Sequence, residues 1–181
     1  MCDGRGPRRA ARQAGGVTVR SGGDEFPARP EGTDDMRAIA RADVVFLTLK
    51  AHSIPKVADT IGGALANDAC VVGVQNGIPW WYFEDRHLES VDPGGIIARN
   101  IHYRQVVGCI AYPAAQVVDP GVIEHLDGTR VSLGEPDGSR HERVQAISAR
   151  LGKAGLTDPG PTRIRNATGL TVRGKQSPTP P

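Results

Sequence analysis

"ADVVFLTLKAHSIPKVADTIGGALANDACVVGVQNG", residues 42–77, decides the fold. Val44 to Leu49 is an apolar run interrupted only by Thr48, so residues 43–49 read as a strand buried on both faces. Ser53 can cap a following helix, Pro55 is tolerated in its first turn, and Ile54, Val57, Ile61 and Leu65 recur near helical spacing. Cys70 to Val74 supplies a second apolar strand. Two buried strands joined by one helix make a βαβ unit, which is parallel and right-handed in nearly all cases.

Upstream, residues 7–14 suggest a helix ending at Gly15-Gly16, and Val17-Thr18-Val19 a short strand before a Ser-Gly-Gly turn. Asp34 and Asp35 precede a short helix over residues 36–41. Downstream of Asn76-Gly77 the texture changes. Strand-like runs at Ile96 to Ile101, Val106 to Tyr112, Val122 to His125 and Arg130 to Leu133 are broken by Pro113, Asp119-Pro120-Gly121 and Asp127-Gly128. That pattern predicts an antiparallel segment with tight turns. Residues 139–152 predict a final amphipathic helix with Val144, Ile147 and Leu151 on one face. The fold class is therefore α/β, with a parallel sheet and helices followed by antiparallel strands. Residues 1–156 are expected to form one domain, and the Pro-rich stretch 157–181 an irregular, disordered tail.

The 181 residues suit one ordinary domain, or one domain and part of another. Twenty-two Lys and Arg against 20 Asp and Glu give a near-neutral balance that implies no nucleic-acid partner. No apolar stretch approaches the roughly 18 to 20 residues of a membrane span, and the N-terminus lacks the apolar middle of a signal peptide. No membrane partner is expected, and a cytoplasmic location is the default. Three cysteines without paired spacing argue against a disulfide framework, and Cys70 and Cys109 read as small buried apolar residues. The five histidines show no HExxH or i, i+4 pairing, so no metal site is expected.

In an open parallel sheet, ligands bind beyond the carboxyl ends of the strands, where loop backbone and helix N-termini converge. Lys50 follows the first strand and Asn76 the second, so two polar groups point at one crevice. Lys50 is equally consistent with a solvated lysine past a strand. Asn76-Gly77 could make a hairpin turn, but the following Ile78-Pro79-Trp80-Trp81-Tyr82-Phe83 does not alternate and reads as a short apolar helix or lining. That aromatic cluster suits a core or a contact surface.

"DVVFLTLKAHSIPKVADTI", "VVGVQNGIPWW", "VVGCIAYPAAQVVDPGVIEH" and "VSLGEP" resemble, in order and spacing, the ketopantoate reductase (2-dehydropantoate 2-reductase) family over about residues 4–155. The resemblance implies an incomplete Rossmann-type NADP-binding domain and a reaction in which NADPH reduces a 2-oxo acid to a 2-hydroxy acid in pantothenate biosynthesis. It also implies that Lys50 lies by the cofactor and that Asn76 contacts cofactor and substrate. Arg5 falls where the family binds the 2′-phosphate of NADP, a task suited to the planar guanidinium fork. Ala114 matches a small residue whose backbone approaches the cofactor, with Ala115 the alternative. A homodimer is left open.

Two departures from the family pattern follow. Asp3-Gly4-Arg5-Gly6 has neither a preceding strand nor the spacing of the family's glycine-rich loop, whose backbone amides hold the pyrophosphate. The family's general acid, a lysine in a Trp-x-Lys-Leu pattern, has no counterpart here, and Lys175 does not take the role, so no catalytic residue is assigned. A frameshift from about residue 167 would produce the change to a Pro-rich tail. Each large side chain left uncovered by a missing βα unit costs roughly 1.5 to 3 kcal/mol against a domain stability of about 5 to 15 kcal/mol. The expectation is an inactive or impaired fragment, marginal alone, that binds NADPH weakly or not at all. The alternative is a non-catalytic interaction module of the same fold, with Trp80-Trp81 at its contact surface.

Overall fold

The computed structural model describes residues 16–83, 87–139, 141–159 and 164. Among these residues eight strands form two sheets: β1 (Val17–Ser21), β2 (Asp24–Ala28), β3 (Val44–Leu47), β4 (Cys70–Val74), β5 (Val106–Ala111), β6 (Ala114–Asp119), β7 (Val122–Asp127) and β8 (Val131–Gly134). The α-helices are α1 (Ala58–Ala64), α2 (Ile96–Asn100) and α3 (Glu142–Lys153). The first sheet runs β2-β1-β7-β6 and the second β3-β4-β5-β8. The expected helix over residues 7–14 lies outside the described residues.

The second sheet is the framework. β3, β4 and β5 are parallel, and β8 joins β5 antiparallel. Alternation along the strands sorts the core into two layers. Val71 and Val106 pack with Ile54, Ile61, Ile97 and Ile101 from the side of α1 and α2. Cys70, Val72, Val107 and Cys109 pack with Leu133, Val144 and Ile147 from the side of α3 and β8. The predicted face of the last helix is therefore the buried one, and both central cysteines are apolar core residues. Ile164 is buried in the first layer, and Thr157 bridges to Arg130.

Several expectations are corrected. β3 is not buried on both faces: among the described residues it is an edge strand, and Phe46 is 44% exposed. Phe46 shares the face of the sheet on which α3 packs, but α3 lies against β8, at the opposite edge. Ile96 to Ile101 is not a strand, because α2 occupies Ile96–Asn100. The cause is Asp92, 2% exposed, which accepts from the amides of Ile97 at 2.7 Å and Ala98 at 3.1 Å. A carboxylate held by the first amides of a turn favours helix over the strand preference of β-branched isoleucines. The helix expected from Ser53 begins later: Ala51–Ser53 is a 3₁₀ turn, and α1 starts at Ala58. The stretch after Asn76-Gly77 is a turn rather than an apolar helix, with the Tyr82 amide donating to the Pro79 carbonyl.

Other local expectations hold. Met36–Arg41 is a 3₁₀ helix, with the Asp35 carboxylate accepting from the Arg37 amide. Gly22 and Gly23, at φ 60° and 93°, turn β1 back into β2 as a tight hairpin requires. The first sheet adds an unexpected strand pair, β1 parallel to β7. Phe26, Val19, Ile123 and Val117 stand side by side across its four strands.

The second sheet also carries a pair of facing glycines. Gly73 on β4 is in register with Gly108 on β5, and the Trp81 indole lies across both. A Cβ on Gly108 would meet the ring at 2.5 Å, and one on Gly73 would lie 3.2 Å from Trp81 Nε1. Trp81 is only 4% exposed. Trp81 thus serves the core, with Trp80 half-buried against it.

Candidate functional site

The site is built on the carboxyl ends of three adjacent parallel strands. β3 ends at Leu47, and the chain leaves it through Thr48 and Leu49 to Lys50, whose extended backbone (φ −62°, ψ 141°) leads into the 3₁₀ turn. The Lys50 carbonyl accepts from the Ser53 amide at 2.8 Å, which closes that turn. The Lys50 side chain is exposed, as an ammonium requires unless it is paired. One strand along, β4 ends at Val74, and Gln75, Asn76 and Gly77 turn the backbone, with Gly77 at φ 89°. Asn76 is exposed and Gln75 is buried. On the next strand, β5 ends at Ala111, and exposed Ala114 opens β6 three residues later. Lys50, Asn76 and Ala114 therefore follow neighbouring strands at the same end of the sheet. Arg5 lies outside the described residues.

Sequence reasoning missed Gln75, which links the turn after β4 to the last residue of β3. Its Nε2 donates to the Leu47 carbonyl at 2.9 Å, across 28 residues of sequence. The available signal was a polar side chain ending the apolar run Cys70 to Val74, where burial demands a partner.

The buried Glu135 and its partner Arg143 serve structure. Glu135, 2% exposed, accepts from Arg143 Nε at 2.8 Å and from its Nη2, while Arg143 Nη1 donates to the Arg104 carbonyl at 2.7 Å. The Glu135 carboxylate raises the already high pKa of Arg143 through that hydrogen bond, and the pair ties α3 to the start of β5. A cavity of about 490 Å³, lined by Asp35, Met36, Arg37, Thr60 and Gly63, lies between the 3₁₀ helix and α1, apart from the strand-end crevice. Among the described residues no group of three His, Cys, Asp or Glu could hold a metal ion, and no helix is long and apolar enough to cross a membrane.

A dinucleotide needs a phosphate cradle as well as polar side chains. Lys50 suits a phosphate or carboxylate, and Asn76 can donate to a carbonyl or amide oxygen. The cradle is not found among the described residues. Gly94-Gly95 opens α2, but no strand leads into it, and the Asp92 carboxylate already takes the amides of Ile97 and Ala98. The described residues thus fit the polar side of such a ligand and not its pyrophosphate.

Residues 1–138 match the family model described as ketopantoate reductase PanE/ApbA. The chain is 39% identical over 183 residues to the 2-dehydropantoate 2-reductase of Mesorhizobium japonicum, an alignment covering 97% of this chain and 56% of that protein. A second 2-dehydropantoate 2-reductase, from Halobacterium salinarum, is 25% identical over 146 residues, 80% of this chain and 43% of the relative. The fold superposes on a crystal structure assigned to the ketopantoate reductases, from Ralstonia solanacearum MolK2, with a TM-score of 0.83 and 34% identity. That superposition covers 91% of this chain and 53% of the other. The chain spans about half the length of the relatives it matches.

Proposed function

This chain belongs to the ketopantoate reductase PanE/ApbA family, and from that premise we propose that it supplies the cofactor side of an NADPH-dependent reductase. The substrate is a 2-oxo acid, 2-dehydropantoate in the first instance, and the product a 2-hydroxy acid of pantothenate biosynthesis. The observation that carries this reading is the alignment of Lys50, Asn76 and Ala114 beyond the carboxyl ends of β3, β4 and β5. Ligands of parallel sheets collect at that end.

When bound, a reduced nicotinamide supplies a hydride to the carbonyl carbon of the substrate. The residues of this chain have binding and orienting roles. Lys50 places a positive charge where phosphate or substrate carboxylate would lie. Asn76 offers its NH₂ to the substrate carbonyl oxygen, which polarises the carbonyl and favours the charge that develops there. Ala114, lacking a bulky side chain, allows backbone to approach the cofactor. In the same reading Arg5 pairs with the 2′-phosphate. The developing alkoxide also needs a proton donor, and the Trp-x-Lys-Leu lysine of the family has no counterpart in this sequence. The chain by itself is therefore proposed to bind NADPH weakly and to leave 2-dehydropantoate unreduced.

An assay of NADPH oxidation with 2-dehydropantoate, run beside a cofactor titration, tests this. The expected result is weak binding without turnover. Turnover by the chain alone would overturn the assignment of the proton donor to a segment not found here, and a micromolar or tighter dissociation constant would overturn the weak-binding claim.

A further inference from the structure

Among the described residues, Gln75 ties the start of the Asn76 turn to the end of β3, from which the Lys50 turn leaves. It follows β4 directly, is 8% exposed, and sends its Nε2 to the Leu47 carbonyl at 2.9 Å. Leu47 is the last residue of β3, three before Lys50. In the parallel ladder Leu47 is already in register with Gly73, so the Gln75 amide adds a link where regular pairing stops. On the other side of Gln75, its Oε1 and the Trp81 Nε1 are both buried without a hydrogen-bond partner, and each lies 3.2 Å from the point where a Gly73 Cβ would stand. One is an acceptor and the other a donor. The first is fixed by the bond that the Gln75 amide makes to β3, and the second by the seat of the indole on Gly73 and Gly108.

We infer that Gln75 is a positioning residue: its amide sets the Lys50 turn against the Asn76 turn, and the Trp81 indole backs it. That the two turns make a ligand crevice rests on the proposed function, whereas the mechanical link does not. A single buried hydrogen bond contributes modestly to the net stability of a fold, so its loss is expected to loosen one turn without unfolding the sheet. Deleting only the amide, as in Gln75→Met, keeps length and apolar volume.

The experiment is amide hydrogen exchange by NMR on the ¹⁵N-labelled chain, wild type against Gln75→Met. Ser53 and Ile54, whose amides close the Lys50 turn, are expected to exchange at least about tenfold faster in the variant, a change matching roughly 1.4 kcal/mol. The Val72 and Val107 amides, in the strand ladder, are expected to change by less than about threefold. The chain has two tryptophans and so two indole N–H signals; the Trp81 signal is expected to shift and the Trp80 signal to stay. Equal acceleration at all four amides, or none at Ser53 and Ile54, would overturn the inference. Should Gln75→Met not fold, the wild-type side-chain NH₂ of Gln75 decides. Protection well above that of exposed Gln145 supports the link, and equal exchange refutes it. NADPH titrated into both proteins separates the two claims. If wild type binds, the variant should bind about tenfold more weakly, and equal affinity counts against positioning. If wild type shows no response, the functional reading fails while the exchange data still decide the role of Gln75.

Discussion

The Trp81 ring covers Gly108 so closely that a Cβ there would stand 2.5 Å from ring atom Cη2 and 2.8 Å from Cζ2. Ile164 Cγ1 would lie 2.9 Å away, so the added methyl would meet a second buried side chain as well. Gly108→Ala is expected to destabilise the chain by about 1 to 3 kcal/mol through overpacking, seen as a lower urea midpoint. Gly73→Ala, with contacts at 3.2 Å, is expected to cost less. Equal midpoints for wild type and Gly108→Ala would show that the indole does not rest on the glycine pair.

Asp92 should control α2. Its carboxylate is buried and takes two main-chain amides, so Asp92→Ala leaves both donors without that partner. The expected loss is about 2 kcal/mol, with amide exchange rising first at Ile97 and Ala98. Unchanged exchange at those two positions would dissociate the helix from its carboxylate.

Removing Arg143 should cost more than removing the whole ion pair. Arg143→Met strands the buried Glu135 carboxylate, for an expected loss of about 3 kcal/mol or more. Glu135→Gln with Arg143→Met leaves no uncompensated charge and should recover part of that loss. Chemical denaturation of the single and double variants checks the order, and a double variant less stable than Arg143→Met would reverse it.

Burial, with the Asp158 carboxylate adding to it, pushes the Cys109 thiol up from 9.0 to about 11. The folded state thus favours the protonated thiol more than the unfolded chain does. That contribution is complete below pH 9 and is lost as the pH rises through about 11. Its full size is on the order of 2 kcal/mol. Stability measured from pH 8 to 11 should therefore fall more steeply for wild type than for Cys109→Val, and parallel curves would contradict the thiol's role. Native alkylation should spare Cys109 and the similarly buried Cys70, since the reactive thiolate is scarce at both.

Much of the framework was legible because it rests on local pattern. The apolar runs before Lys50 and Asn76 gave two parallel strands and placed both residues at one end of the sheet. Asp35 announced its 3₁₀ helix, and Val144, Ile147 and Leu151 gave the face of α3. What escaped depends on partners distant in sequence or on edges. Phe46 reads as core until the sheet order makes β3 an edge. Ile96 to Ile101 has strand composition, and only the buried Asp92 carboxylate turns it into helix. β2 has an exposed residue at every position and contains Pro27, so neither alternation nor composition marks it as a strand. Gln75 was overlooked beside the more conspicuous Asn76-Gly77 because its partner carbonyl lies on another strand. The Trp81 seat likewise depends on two glycines brought into register from separate strands.

The most direct test of the account is NADPH titration of the ¹⁵N-labelled chain, mapped by amide chemical shifts. The crevice reading predicts shifts concentrated at residues 50–54, 75–78 and 111–115, with a dissociation constant weaker than about micromolar, and loss of the response in Lys50→Ala. No response at millimolar NADPH, or shifts centred on the cavity around Arg37 and Thr60, would contradict it.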